Sequence, residues 1–293
     1  MLDLNAPPDG VLATTWQGAA SAAPKTGDLW LLSWDGQALA LALISSVFDN
    51  FVTCWPTTLT QTPVFAPAFL IEATPLQVPL LVWPTRETGV GLHMLHRRFG
   101  TMLSNRAMTQ TEESLENPER SSLPLVSLTV DGRDAEVFSD EMVDTWEEIC
   151  LNVWPSPVAG ITMFSAESLR SIGITIADIK SLIGVGTPEA VALFRAEQAP
   201  TVEQLEAVAI ASQVEPYVLL ESGTDEASRL LIEPTFKNSV VGLARMLEIS
   251  EAEARGLAQA EFALAARSDG GPRARMLTVI ERLGREGRSS GGS

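Results

Sequence analysis

The chain holds two histidines and two cysteines, so few arrangements of catalytic side chains are open to it. His93 and His96 stand three apart. The spacing around them predicts a helix over 92–103 with both imidazoles on one face, followed at once by Arg97 and Arg98. A zinc centre needs three or four ligands. Cys54 or a carboxylate could add one, but no spacing supports it, and neither a metal nor a cofactor is expected. HMLHRR is the densest basic patch of the first half, either a solvated helix face or a contact for an anionic partner. No Ser-His-Asp set, phosphate loop or GxGxxG motif occurs, and no catalytic residue is assigned. Trp30, Trp34, Trp55 and Trp83 could stack bases, although tryptophans at strand positions more often fill a core.

Composition narrows the classes. The 293 residues carry 20 Lys+Arg against 37 Asp+Glu, a formal charge of −17, with 45% hydrophobic residues. So apolar a chain is not disordered, and its length suits two or three domains. The acidic balance argues against sequence-blind nucleic-acid binding, which needs many phosphate contacts. A small local DNA-reading surface remains open. The most apolar run, 29–51, is broken by Asp35, Gly36 and Asp49, so no membrane span is expected. MLDLNAPPDG lacks the basic and apolar regions of a secretory signal, and two cysteines make no disulfide framework. A cytoplasmic protein is expected.

The composition also divides the chain. All seven tryptophans lie at or before Trp154, and 13 of 18 prolines lie before position 160. From about Ser165 onward the sequence is rich in Ala, Leu, Glu and Ile at helical spacing. The first half reads as strands over 28–34 and 37–46, joined by Asp35-Gly36. Those two residues predict a tight hairpin because both central positions need positive φ. Further strands are expected over 50–55, 68–72 and 77–83, a loop over 109–122, another strand over 123–130, and a helix over 139–153 capped by Ser139 or Asp140. Short strands with late helices suggest a small β-barrel.

Gly27-Asp28-Leu29-Trp30 at the first strand, the apolar second strand ending at Ser45-Ser46, the run 76–103 and Ser139-Asp140-Glu141-Met142 resemble the MazF/PemK-type toxin barrels over about 25–153. That resemblance implies an SH3-like barrel. It also implies metal-free cleavage of single-stranded RNA, in which an arginine after the first hairpin stabilises the phosphorane and a Thr or Ser assists proton transfer. Here no Arg or Lys occurs between Lys25 and Arg86. Ala38, Leu39 and Ala40 stand where an Arg-Pro pair is expected, while Thr53, Thr57 and Thr58 remain near the place of the hydroxyl. A degenerate, non-catalytic barrel is therefore expected.

The second half reads as helix-turn-helix units. Helices are expected over 165–173, over 175–183 with a Thr175/Asp178 capping box, from Thr187-Pro188 to about Gln198, and from Thr201 to Val214. Gly184-Val185-Gly186 forms the turn. This order resembles the phage-repressor/Xre-type DNA-binding domains over about 165–215. The resemblance implies that the helix starting at Thr187 faces the major groove, with Thr187, Glu189, Ala192 and Arg195 as the DNA-binding candidates. Aligning 179–197 with 243–261, at an offset of 64, gives five identities. A duplicated unit would explain them, and so would chance between Ala/Glu-rich helices. In the second unit the corresponding face would be Ser250, Glu251, Ala252, Arg255 and Gln259. Arg273, Arg275, Arg282 and Arg285, with Arg288 beyond, form a secondary basic patch.

The expected architecture is multidomain α and β: an N-terminal arm over 1–24, a small SH3-like β-barrel over 25–153, and a linker over 154–164. An all-α part follows, with a helix-turn-helix domain over 165–222, a second helical unit over 223–287 and a flexible tail over 288–293. The leading functional expectation is a DNA-binding regulator of toxin-antitoxin-like ancestry whose barrel serves binding or dimerisation. An acidic interaction or scaffold protein and a ribonuclease toxin fused to a repressor-like domain are the alternatives. Duplex DNA, a protein partner or a second copy are the expected partners, and no membrane.

Overall fold

The computed structural model describes residues 2–18, 23–116, 132–152, 154, 163–195, 198, 200–214, 219, 226–264 and 271–290. An antiparallel sheet of seven strands is followed by a helical region, a mixed α and β architecture. The strands are β1 (Asp28–Trp34), β2 (Gln37–Val47), β3 (Phe51–Leu59), β4 (Phe69–Ile71), β5 (Leu80–Val82), β6 (Thr88–Gly91) and β7 (Leu95–Thr101). They run in the order β4-β5-β3-β2-β1-β7, with β6 paired to the first half of β3. Asp35 and Gly36 make the first hairpin at φ 47° and 73°, the left-handed values their types favour.

The inner strands read as unbroken apolar runs because both faces of the sheet are covered. Trp30 and Leu32 of β1 enter one core, and Leu29 and Leu31 enter the other. The first core is closed by Ala135, Met142, Trp146 and Ile149 of a helix whose label in chain order is α3 (Gly132–Leu151). The second is closed by Leu4, Val11 and Trp16 of the N-terminal segment, which carries α1 (Ala13–Trp16), and by Met108 of α2 (Asn105–Glu116). The arm is thus part of the core, and Arg97 holds it by donating to the carbonyls of Leu4 and Trp16.

The start of β1 explains the Gly-Asp pair. Gly27 sits at φ +83°, and a Cβ there would overlap the Leu103 carbonyl oxygen. The Gly27 carbonyl accepts from the amides of Met102 and Leu103. Asp28 is fully buried and accepts from Arg98 Nε and one terminal nitrogen, each at 2.7 Å, and from Thr101 Oγ1 at 2.8 Å.

Several elements differ from expectation. Residues 92–103 are not a helix: Leu92–Met94 is a single 3-10 turn, and Leu95–Thr101 pairs along β1 as β7. The open edge of β1 outweighs a spacing that helix and strand share. Residues 105–116 are helical, so the loop expected over 109–122 is helix through Glu116. Thr111 and Ser114 donate back to the carbonyls of Ala107 and Gln110, which satisfies their hydroxyls within the helix. The helix expected from Ser139 starts at Gly132. The expected strand 123–130 lies outside the described residues, as does most of the 154–164 linker.

The chain divides into two compact units, Met1–Trp154 with Glu226–Ser293, and Pro155–Asp225. The smaller unit contains α4 (Ala166–Ser171), α5 (Ile176–Ile183), α6 (Thr187–Phe194) and α7 (Val202–Ser212) around Phe164, Leu169, Ile179, Ala190, Leu193 and Val208. In the larger unit, α8 (Glu226–Ile232), α9 (Pro234–Leu247), α10 (Glu251–Leu264) and α11 (Pro272–Ser290) share a core of their own. They belong to the same compact unit as the sheet, where a second helical unit after the helix-turn-helix domain is expected over 223–287. The expected tail from 288 is helical through Ser290.

Candidate functional site

The turn between α5 and α6 is set by local chemistry. Thr175 and Asp178 form the reciprocal capping box that opens α5. Gly184 closes α5 at φ 68° in the left-handed region, its amide bonding to Lys180 O. The N-cap of α6 is Gly186, not Thr187, which occupies the first helical position with Pro188 second. The Thr187 hydroxyl is therefore not spent on capping and accepts from Lys180 Nζ at 3.1 Å. Thr187 and Arg195 are exposed, while Glu189 and Ala192 are half-buried. Glu189 accepts from Gln204 Nε2 at 3.3 Å. The helix ends at Phe194 rather than near Gln198, so Arg195 is its C-cap. Thr187 and Arg195 are roughly 12 Å apart along the axis. The sequence did not single out Lys180, although it precedes the turn by one helical turn.

A second helix–helix corner has its caps 64 positions further on, Glu248 against Gly184 and Ser250 against Gly186. Glu248 closes α9 at φ 55° with its amide bonded to Ala244 O, and Ser250 with Glu253 makes the reciprocal box opening α10. Here, however, the face expected to read DNA points inward. Glu251 and Arg255 are 1% and 0% exposed. The Glu251 carboxylate accepts from Lys237 Nζ at 2.7 and 2.9 Å and from Arg255 at 2.6 Å. Lys237, also fully buried, donates to Ser33 O of β1, and Arg255 donates to the Leu231 and His93 carbonyls. Asp35 of the first hairpin accepts from the Glu251 amide at 2.6 Å. These residues fasten α9 and α10 to the sheet and are not available to a ligand. Ala252 is exposed and Gln259 half-buried.

HMLHRR is likewise consumed internally. His96 is buried between Ser33 Oγ at 2.7 Å and Asn238 Oδ1 at 3.0 Å. Nε2 donates to the Asn238 oxygen, so Nδ1 accepts from Ser33. Burial first, then Lys237 and Arg97, push His96 down to about 4. Burial and the neighbouring Arg255 hold His93 well below its ordinary value, and its Nε2 lies 3.1 Å from Asn152 O. Burial also pushes the Lys237 ammonium down to about 7, against the pull of Glu251. Among the described residues no group of three His, Cys, Asp or Glu could hold a metal ion.

The secondary basic patch is mostly paired. Arg273 meets Glu233 at 2.6 Å, Arg275 meets Glu226 at 2.7 Å and lies over the Phe262 ring, and Arg282 meets Glu261. Arg285 is exposed and bonds within its own helix to the Glu281 carbonyl.

A groove of about 800 Å³ opens where β2 begins and β3 ends. Ala38, Leu39, Ala40, Thr57 and Thr58 all line it, so the positions that the toxin-barrel resemblance singles out do meet in space. Among the described residues lining it there is no Lys, Arg or His. Thr53 lies elsewhere, bonded to Ser45. No protein-family model matches the chain, and no curated protein sequence matches it. Among the described residues no helix is long and apolar enough to cross a membrane.

Proposed function

We propose that the Pro155–Asp225 unit binds duplex DNA through the exposed start of α6, and that the protein is a DNA-binding regulator. On this reading the sheet is a small SH3-like barrel of toxin-antitoxin-like ancestry, retained for binding or dimerisation and without catalysis. The observation that carries the reading is the Lys180–Thr187 contact. It places a cation and a hydroxyl together at the exposed N-terminal end of the second helix of a helix-turn-helix, where a major-groove reader keeps its contacts. That no cation stands among the described residues lining the groove supports a non-catalytic barrel, since phosphorane charge needs a fixed positive partner. The matching corner at α9–α10 supports a duplicated motif whose second copy serves as a buried fastening.

The test is fluorescence anisotropy with duplexes selected from a random library, at low salt and across a salt series. Lys180→Ala and Arg195→Ala should each weaken all sequences alike and flatten the salt slope by about one unit. Glu189→Ala should change sequence preference, because a carboxylate can accept from cytosine but cannot hold phosphate. The reading fails if no selected duplex binds above background.

One observation favours protein contacts through the same helix. The Pro155–Asp225 unit carries three basic and nine acidic residues, a net −6. A protein partner captured by this unit and lost on Arg195→Ala, with no DNA binding, would favour the scaffold reading.

A further inference from the structure

The geometry points to a second binding site, independent of the DNA reading: the groove at the start of β2 takes a small organic cation with an apolar body. Its volume of about 800 Å³ falls within the range of small-molecule pockets, roughly 300–1,000 Å³. The space exists because β2 presents Ala38 and Ala40 there. Phe138, Met142 and Trp146 of α3 form one wall, and Leu2, Pro7 and Pro8 of the N-terminal arm form another. These surfaces suit an aromatic or aliphatic body.

The polar groups decide the charge. Four threonine hydroxyls line the groove, and each proton is already committed to the protein. Thr57 donates to Trp55 O, Thr62 to Leu59 O and Thr145 to Glu141 O. With the Thr62 proton so placed, Thr58 donates to Thr62 Oγ1 at 2.7 Å. What the hydroxyls still offer is lone pairs. The two charged side chains of the lining, Asp3 and Glu141, are carboxylates and also accept only. Gln37 is the one side-chain amide among the described lining residues. A cavity whose hydroxyls and carboxylates accept hydrogen bonds, which carries negative charge and has no cation among its described lining residues, disfavours phosphates and carboxylates and favours an ammonium donor.

Three probes of one shape separate the possibilities: naphthylmethylammonium, naphthalenemethanol and naphthoate, each measured by equilibrium dialysis against the full chain near neutral pH. The ammonium should bind about fivefold or more tightly than the alcohol, as one or two water-exposed carboxylates allow, and naphthoate should bind weakest. Glu141 is exposed on α3, so Glu141→Gln and Glu141→Lys leave the cores intact. The first should bring the ammonium down toward the alcohol, and the second should reverse the order of ammonium and naphthoate. Equal binding of the three probes, no binding of any, or an unchanged order in Glu141→Lys overturns the proposal. A failure of DNA binding alone leaves these outcomes unaffected.

Discussion

Replacing Glu251 by Gln isolates the charge that fastens the helices to the sheet. The substitution keeps the side-chain shape and the backbone amide that Asp35 accepts from. It removes the carboxylate bonded to both Lys237 and Arg255, each fully buried. Arg255 would then stay charged away from water, and Lys237, held at about 7 even beside Glu251, would give up its proton near neutral pH, with carbonyl oxygens and the rings of Trp34 and Trp154 as the remaining partners. Removing one partner of a buried ion pair costs about 3–5 kcal/mol. For a unit of this size, each kcal/mol shifts Tm by about 2–4 °C, so the Met1–Trp154 and Glu226–Ser293 unit should melt about 10 °C lower. Calorimetry resolves the transition. Adding Lys237→Met to Glu251→Gln removes the buried amine left without its carboxylate and should recover part of the loss. A Glu251→Gln melting point indistinguishable from wild type, or a double variant that falls by the full sum of the singles, refutes the account of this cluster.

Three further outcomes follow from the same packing. His96 is held at about 4 in the folded chain against an ordinary 6.5. The unfolded chain therefore binds more protons between those values, and stability falls as pH drops through that window. The His96 contribution is about 3 kcal/mol. Denaturant midpoints measured across the window should fall, and His96→Gln should flatten the slope; an equal slope in both proteins refutes it. Cys54 is fully buried and burial pushes its thiol up, whereas Cys150 is partly exposed. Ellman's reagent should thus titrate one thiol in the native protein and two in guanidinium, and two fast native thiols would contradict the packing. Asp28→Asn weakens charge-assisted bonds from Arg98 and Thr101 at a buried site and should cost about 1.5–3 kcal/mol. Gly27→Ala should be worse, because its Cβ meets backbone that cannot give way. A Gly27→Ala protein as stable as wild type would refute the stated reason for this glycine.

What could be read from the sequence is what neighbours in sequence determine. The Asp35-Gly36 hairpin, the Thr175/Asp178 and Ser250/Glu253 boxes and the Gly184 turn depend on residues two to four apart, and each stands in the structure. The fates of the charged residues depend on partners far along the chain. His96 meets Asn238, Lys237 meets Ser33, and the Glu251 amide meets Asp35. No local pattern reveals such pairings, so a basic run read as a surface patch proves to bury its histidines and half-bury its arginines. The two corners make the point most sharply. At α5–α6 and α9–α10 the caps fall at positions exactly 64 apart in number, yet Thr187 is exposed while Glu251 and Arg255 are buried. Local sequence caps the helix ends equally well in both places. What differs is what covers each corner: at α9–α10 the residues at the helix start are bonded to the sheet, while at α5–α6 Thr187 stays exposed.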